Sequence, residues 1–207
     1  MKALILVDVQ RDFMPGGGLP VEDGDQIVPV INGILSQYPL IAATQDWHPP
    51  GHRSFASSHP GHEPMDTIDL NGLEQVLWPD HCVQGTDGAA FHEELDMNPV
   101  AAIFRKGTDP EVDSYSGFFD NGHRHKTGLA EWLHGMEVDE VHVAGLAAEV
   151  CVAYSARDAA ELGFKVAVIE DAVMALSDEA MQSTKEDLTQ LGVRFIRASE
   201  SGRAIDP

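Results

Sequence analysis

Short apolar segments alternate with segments of helical periodicity along most of this chain. Six runs, mostly apolar and rich in Val, Ile or Ala, are typical of strands buried on both faces of a parallel sheet. They span residues 3–9, 40–44, 100–104, 141–146, 165–169 and 193–196. Helical spacing is present in residues 25–37, 127–134, 149–162 and 178–191. The alternation predicts a doubly wound α/β fold: a mostly parallel six-stranded sheet, right-handed crossovers, and helices on both faces.

The length and composition of the chain predict one domain. Its 207 residues are 43% hydrophobic, which is enough to fill one sizeable core. We find no internal repeat, low-complexity tract or shift in composition that would mark a second domain. We therefore predict a single domain over residues 1–207.

The net charge limits the kinds of molecule that the protein can bind, and the cysteine content indicates its cellular compartment. The formal net charge is −21, from 34 acidic and 13 basic residues, and it would repel nucleic acid and anionic membrane surfaces. The first apolar run is too short for a signal peptide or a membrane span. The two cysteines, Cys82 and Cys151, do not form a disulfide framework. We expect a reduced, cytoplasmic protein, and the acidity also fits adaptation to a salty habitat.

Two stretches interrupt the alternation of strands and helices. Residues 46–88 are dense in His, Pro, Gly and Ser, and residues 107–124 are similarly irregular. Long irregular segments in a compact domain are usually functional or disordered. Both follow directly on predicted strands, so we expect them to overhang the carboxyl edge of the sheet, where ligands bind in this fold class.

Reactive side chains stand at or just beyond the ends of four successive predicted strands. Asp8 ends the first, Asp46 and His48 follow the second, Lys106 follows the third and Cys151 follows the fourth. A parallel sheet places these ends at one edge, so the five residues are expected to converge in one cleft.

Cys151 lies between a predicted strand and a predicted helix. A helix N-terminus and a nearby Lys106 would both lower the pKa of its thiol and favour the reactive thiolate. A lone cysteine is more often a small buried hydrophobe. A carboxylate, a lysine and a cysteine on neighbouring strand ends nevertheless have the parts of an activated nucleophile and its acid/base partner.

Asp46, His48 and the later His81 offer one carboxylate and two imidazoles. This donor set suits zinc or iron with positions left for water or substrate. An Asp-x-His pair alone is common in surface loops. The case for a metal site depends on these residues sharing an edge with the candidate nucleophile.

The motifs as a set resemble the nicotinamidases and pyrazinamidases of the isochorismatase-like cysteine hydrolase superfamily. The resemblance rests on the order and spacing of residues 8–13 (DVQRDF), 16–19 (GGGL), 46–48 (DWH), 78–85 (WPDHCVQG), 105–107 (RKG), 113–121 (DSYSGFFDN) and 145–152 (GLAAEVCV). It covers nearly the whole chain. The metal motif together with residues 113–119 separates nicotinamidases from other members of the superfamily.

The resemblance implies hydrolysis of nicotinamide to nicotinic acid and ammonia in NAD salvage, with pyrazinamide as a further substrate. It implies that Asp8 takes the thiol proton, that Lys106 holds the charged pair in place, and that Cys151 forms a thioester. The backbone N–H groups of Ala147 and Cys151 would hold the oxyanion, next to a cis peptide bond between Leu146 and Ala147.

The resemblance also implies one divalent metal ion, zinc or iron with manganese as a further candidate, which binds the pyridine nitrogen or an adjacent water. Its expected ligands are Asp46, His48 and His81, and a fourth position falls on Ser54 with His52 close by. The expected walls of the ring pocket are Phe13, Leu19, Trp78 and Tyr115. One departure from the family pattern is Glu149, where the family usually carries aspartate.

Three alternatives stay open at this point. A metal-free member of the superfamily would act on isochorismate or on an N-carbamoyl amine. Cys151 counts against the first substrate, and the three expected metal ligands count against the second. A non-catalytic ligand-binding relative would have lost part of the triad, and all three residues are present. The expected partner is a small-molecule amide, and a homo-oligomer is compatible with the sequence.

Overall fold

Six parallel strands form the central sheet of the computed structural model, which describes residues 1–202. In chain order the strands of the protein are β1 (Lys2–Val7), β2 (Leu40–Asp46), β3 (Thr67–Leu70), β4 (Leu73–Val76), β5 (Ala102–Lys106), β6 (Glu140–Leu146), β7 (Lys165–Met174) and β8 (Arg194–Ile196). The sheet order is β5-β2-β1-β6-β7-β8, and β3 and β4 form a separate antiparallel hairpin.

Helices cover both faces of the sheet. They are α1 (Ile27–Ile34), α2 (Leu129–Gly135), α3 (Ala153–Glu161) and α4 (Asp178–Gln190). The buried residues of α1 pack in one apolar cluster, and those of α2, α3 and α4 pack in the cluster on the opposite face. The predicted doubly wound α/β fold is confirmed. The predicted domain also includes residues 203–207, which lie outside the described residues.

Side-chain alternation along β1 explains why its sequence is apolar throughout. Leu4 and Leu6 enter one cluster, whereas Ala3, Ile5 and Val7 enter the other, and all five are 0% exposed. Burying one such large aliphatic side chain contributes about 1.5–3 kcal/mol. Among residues 1–202, none of the helices combines the length and the apolar composition that a bilayer-spanning segment requires.

The strand order reverses at β1, between β2 on one side and β6 on the other. Open α/β sheets bind ligands outside the carboxyl ends of the strands at such a point. Asp8 directly follows β1, and it has a left-handed backbone with φ of 49°. The strand therefore ends at Val7 rather than at the predicted residue 9. Asp8 is fully buried at this point of the sheet.

The prediction that residues 46–88 form no regular structure was wrong in part, because they contain the β3–β4 hairpin. Its two-residue turn is Asn71-Gly72, and both residues have positive φ, 55° and 83°. Asn-Gly is the preferred sequence for a two-residue hairpin turn, since both residues tolerate that conformation. The dipeptide was therefore a signal for the hairpin.

Other predicted bounds shift by a few residues. β7 continues from the predicted end at residue 169 to Met174, and its pairing with β6 changes register between Val143 and Gly145. The segment predicted as one helix from residue 149 begins as a π-helical turn, Ala148–Val152, before α3.

Strands β1 and β6 approach each other so closely at Gly145 that there is no room for a side chain at this position. Its φ is +128°, and an added Cβ would lie 2.0 Å from the carbonyl oxygen of Val7. We expect Gly145→Ala to lower the free energy of unfolding by roughly 2–4 kcal/mol, through backbone strain and overpacking. It should also impair the site, because the substitution separates the strands that carry Asp8 and Cys151. Urea denaturation measures the effect on stability.

Gly33→Ala is the matched control. Gly33 lies in α1, and no atom is within 4 Å of an added Cβ. Alanine in a helix should raise the free energy of unfolding by roughly 0.5–1 kcal/mol. Equal effects of the two substitutions would show that the approach at Gly145 does not limit stability.

Candidate active site

A buried lysine stands at the centre of the site. Lys106, the last residue of β5, places Nζ 2.8 Å from Oδ2 of Asp8 and 3.1 Å from Oδ1 of Asp46. The same nitrogen donates to the carbonyl oxygen of Ser114 at 2.8 Å and lies 3.5 Å from Sγ of Cys151. Lys106 thus contacts both other members of the predicted triad, Asp8 and Cys151.

Charges in this group compensate one another. Burial alone would lower the pKa of the Lys106 ammonium, but the carboxylates of Asp46 and Asp8 hold it well above its ordinary value. Burial alone would raise the pKa of Asp46, yet the charges of His48 and Lys106 hold it well below its usual range. Asp46 therefore remains a carboxylate, and Lys106 remains an ammonium.

Asp8 differs from Asp46 in its proton affinity. Burial raises the pKa of Asp8 above its ordinary value, although the attraction of Lys106 opposes the shift. Its Oδ1 also accepts a hydrogen bond of 2.6 Å from Oγ1 of Thr44. A buried carboxyl with a raised pKa, next to a thiol, has the properties of a general base.

The pKa of the Cys151 thiol is raised, whereas the sequence predicted that it would be lowered. Burial raises the pKa of the Cys151 thiol well above its ordinary value, and the nearby Lys106 only partly opposes this. The negative charge of Asp8 and its hydrogen bond to the thiol shift the pKa in the same direction. A raised thiol pKa calls for a base at Cys151, and Asp8 is the carboxyl group that hydrogen-bonds to the thiol.

The three expected metal ligands lie together next to the triad. Oδ2 of Asp46 is 3.1 Å from Nε2 of His48 and 3.4 Å from Nε2 of His81. Nδ1 of His48 lies 3.0 Å from the carbonyl oxygen of Gly107, and Nδ1 of His81 lies 2.8 Å from that of Pro79. A carbonyl can only accept, so both Nδ1 atoms carry hydrogen and both Nε2 atoms are available as ligands.

This arrangement fits a cation. Nε2 of His48 is buried and makes no hydrogen bond to any residue that the structure describes, although Asp46 is close to it. Burial lowers the pKa of His48, but the Asp46 carboxylate more than compensates and raises it above the ordinary value. A positive charge is thus favoured at Nε2. The donor atoms of Asp46, His48 and His81 all lie within 4.8 Å of one another, a spacing compatible with one shared ion.

His52 and Ser54 are both fully buried next to this group, but they differ in what they can offer. Nε2 of His52 donates to the carbonyl oxygen of Asp109 at 2.8 Å, and Nδ1 accepts from the backbone N–H of Ser54 at 3.1 Å. Both ring nitrogens are therefore engaged. Oγ of Ser54 lies 2.8 Å from Nδ1 of His52 and retains lone pairs beyond that contact.

Two residues that the sequence analysis did not select support the metal ligands. Gln10 is 0% exposed; its Nε2 donates to the carbonyl oxygen of Asp46 at 2.8 Å, and its Oε1 accepts from the N–H of Asp46 at 2.7 Å. Phe55 is also fully buried, with its ring centre 5.2 Å from that of His48 and 5.5 Å from that of His81. A glutamine and a phenylalanine carry no functional signal in a single sequence, so only the fold reveals these roles.

One cleft brings together Cys151 of the triad, the expected metal ligands Asp46 and His81, and the aromatic residues. Its lining includes all four predicted ring-pocket residues, Phe13, Leu19, Trp78 and Tyr115. It also includes the backbone-donor candidates Ala147 and Cys151, and the peptide bond between Leu146 and Ala147 is cis, as expected. Asp113, Val150 and Leu176 line it too and were not predicted.

Cys82, which follows the ligand His81, does not line the cleft. Its side chain is 0% exposed and belongs to the apolar cluster that contains α1. Its thiol is free, as is that of Cys151. This position fits a packing role for Cys82.

Comparison with known proteins identifies one family over nearly the whole chain. Residues 2–200 match the isochorismatase domain. The nicotinamidase of Escherichia coli is 48% identical over 186 residues, which cover 88% of this chain and 87% of that protein. The structure of a nicotinamidase/pyrazinamidase from Acinetobacter baumannii has a TM-score of 0.94 at 43% identity, covering 96% of this chain and 97% of that chain.

A third relative concerns the metal. The pyrazinamidase of Pyrococcus horikoshii, solved in complex with zinc, has a TM-score of 0.79 and 38% identity, and the match covers 95% of this chain and 98% of that chain. The resemblance inferred from the motifs is confirmed by these comparisons.

The central ion group predicts how stability responds to a lost charge. Lys106→Met keeps the bulk of the side chain but leaves Asp8 and Asp46 close together and buried without their common cation. We expect the free energy of unfolding to fall by roughly 3–5 kcal/mol, as when one partner of a buried ion pair is removed. Urea denaturation at neutral pH measures this loss.

A second substitution provides the control. Asp8→Asn in the Lys106→Met background removes one of the two uncompensated charges, so part of the lost stability should return. If Lys106→Met were as stable as the parent, the charge compensation inferred from the geometry would be wrong.

Proposed function

The chain belongs to the isochorismatase family, and from this we propose that it is a nicotinamidase, which hydrolyses nicotinamide to nicotinic acid and ammonia. One observation carries the proposal. Cys151, the metal-type donors Asp46 and His81, and an aromatic wall line the same cleft. Lys106 lies behind Cys151 and contacts both it and Asp8. Hydrolysis of a carboxamide on a planar ring needs these three features: a wall on which the ring stacks, a group that binds the ring nitrogen, and a nucleophile at the amide carbon.

The triad geometry supports acyl transfer in two halves. Asp8 takes the proton of the Cys151 thiol as the sulfur attacks the amide carbon. The C–N bond breaks, ammonia leaves with the proton that Asp8 returns, and a thioester remains. Asp8 then takes a proton from a water molecule as the water oxygen attacks the thioester carbon. The C–S bond breaks, and Asp8 returns the proton to the sulfur of Cys151. Lys106 keeps its positive charge throughout.

Backbone donors supply the stabilisation of the negative oxygen. We assign this role to the N–H groups of Ala147 and Cys151, which belong to residues that line the cleft beside the sulfur. Removing one such donor typically costs about 3 kcal/mol of transition-state stabilisation.

The ring would lie between Phe13, Leu19, Trp78 and Tyr115. Trp78 and Tyr115 are already fixed relative to each other: their rings meet edge to face at 6.1 Å, and Nε1 of Trp78 donates to the hydroxyl of Tyr115 at 3.2 Å. Aromatic contacts of this kind are worth about 1 kcal/mol per partner. Pyrazinamide has a similar shape, and we propose it as a second substrate.

Asp46, His48 and His81 would hold one divalent metal ion, with Ser54 as the fourth ligand. Zinc and iron are the first candidates for this donor set, and manganese is a further one. When bound, the ion supplies a Lewis-acidic point that orients the ring nitrogen directly or through water. His52 orients Ser54 in this proposal rather than binding the ion.

The wider setting follows from the same activity. The product of nicotinamide hydrolysis feeds NAD salvage, and the two free thiols suit a reducing, cytoplasmic environment. The acidic surface agrees with a small neutral substrate rather than with nucleic acid or a membrane. We also include a homo-oligomer in the proposal, and its presence in solution can be measured.

Ammonia release tests the function. We expect nicotinamide to be hydrolysed far faster than benzamide, which keeps the amide and the stacking face but lacks the ring nitrogen. A lost contact of about 2–3 kcal/mol would lower kcat/KM by roughly thirty- to a hundred-and-fifty-fold. Isochorismate and N-carbamoylsarcosine belong in the same panel. Preference for either one would move the assignment to another branch of the family.

Cys151→Ala is the blank for this assay and should abolish turnover while leaving the melting transition nearly unchanged. Cys82→Ala, which removes the other thiol, should keep most of the activity. Residual activity of Cys151→Ala above about one part in a hundred would contradict nucleophilic catalysis by this residue.

Metal removal tests the donor set. A strong chelator should remove the ion and the activity together, and zinc, iron or manganese should restore activity to different degrees. We expect Ser54→Ala to weaken metal affinity at least about tenfold, and His52→Ala to weaken it less, because His52 acts through Ser54. Calorimetric titration of the apoprotein with zinc gives the affinities. An active preparation without metal by elemental analysis would refute the site.

A further inference from the structure

Glu149 is a departure from the family pattern, and the structure shows what its side chain contacts. Its two carboxylate oxygens accept hydrogen bonds from the backbone N–H groups of Leu176 at 3.1 Å and Ser177 at 2.8 Å. Glu149 lies in the π-helical turn that carries Cys151. The carboxylate therefore connects the nucleophile turn to the segment between β7 and α4.

Leu176 forms part of the substrate cleft from that segment. It lines the cleft with Val150 and Cys151, and 39% of its surface remains exposed. A residue that both borders the cleft and contacts solvent stands at the mouth. Glu149 holds the backbone of this residue through the hydrogen bond to its N–H.

The segment that carries Leu176 is also fixed at both ends. On one side Met174 pairs with Leu146 at the end of the parallel sheet. On the other, Oγ of Ser177 accepts the N–H of Ala180 and caps α4. With the two bonds to Glu149, little freedom is left to the three residues between β7 and α4, so Leu176 presents a defined surface rather than a mobile one.

We infer that Leu176 determines which ring-substituted amides enter the cleft, and that Glu149 is a positioning residue that acts through it. The inference rests on the proposed amide hydrolysis. Leu176 would exclude rings that are extended toward the mouth, because a fixed apolar side chain leaves no room for an added group there. Glu149 does not touch the substrate; it keeps Leu176 against the nucleophile turn.

The test compares nicotinamide with the 4-, 5- and 6-methyl derivatives and with quinoline-3-carboxamide, which carries a fused ring. For Leu176→Ala we expect kcat/KM for at least one of these probes, relative to nicotinamide, to rise at least about tenfold. One methylene in an apolar pocket is worth roughly ten- to two-hundred-fold in specificity. The change for nicotinamide itself should fall mainly on KM, since a contact common to ground and transition states is lost.

Glu149→Ala should raise the same ratio, and the double substitution separates a positioning role from a structural one. If Glu149 acts through Leu176, adding Glu149→Ala to Leu176→Ala should change the ratio less than about twofold. Glu149→Gln keeps one acceptor oxygen at the same reach, so its ratio should lie closer to that of the parent than the ratio of Glu149→Ala does.

Two controls come from the same region of the chain. Leu191→Ala removes an equally exposed leucine, 44% exposed, after α4, and Glu186→Ala removes an exposed glutamate within α4. Both should leave the ratio unchanged. Melting transitions of all variants establish that they are folded. If the Leu176→Ala variant does not fold, Leu176→Val is the milder substitution to use in its place.

The outcomes distinguish this inference from the proposed function. A parent protein that releases no ammonia from any amide would refute the function itself. A parent that hydrolyses nicotinamide, with a ratio unchanged by Leu176→Ala, would refute only the role of Leu176. Independent, multiplying effects of the Glu149 and Leu176 substitutions would refute the positioning role of Glu149.

Discussion

The buried ammonium of Lys106 holds the site together. Without it, two carboxylates and a thiol would stand within a few ångströms of one another away from water, an arrangement that favours protonation of the carboxylates. With it, Asp46 stays ionised while Asp8 keeps a high affinity for a proton. Two chemically identical side chains thereby acquire different properties from their surroundings alone. Lys106 lowers the pKa of both carboxyl groups, and the difference arises because the charge of His48 also lowers the pKa of Asp46.

Asp46 links the two halves of the site. Its Oδ1 lies beside Lys106, and its Oδ2 lies beside His48 and His81. A positive charge bound between the imidazoles of His48 and His81 therefore acts on Lys106 through the carboxyl group of Asp46. Gln10 holds the backbone of Asp46 at both its N–H and its carbonyl, so this shared group has little room to move. Position and charge are controlled at the same residue.

The sequence supported the sheet, the helices and the convergence of reactive residues at one edge, because burial on both faces and strand-end placement leave strong local patterns. Its failures have physical causes. The hairpin at Asn71-Gly72 was obscured by the polar residues around it. The thiol pKa of Cys151 depends on burial and on charges from other strands, which no local pattern records. Leu176 and Phe55 look like ordinary apolar residues until the fold places them at the cleft and behind the ligands.

The central pairing of β1 with β6 joins residues far apart in the chain: Lys2 is opposite Glu140, and Val7 is opposite Gly145. Closing so long a loop carries a large entropic cost, and contacts of this kind slow folding. The base Asp8 follows β1 and the nucleophile Cys151 follows β6. They therefore cannot meet until these two strands have paired. A nascent or locally opened molecule therefore exposes an ordinary cysteine rather than an assembled nucleophile. Reactivity appears only together with the completed tertiary structure.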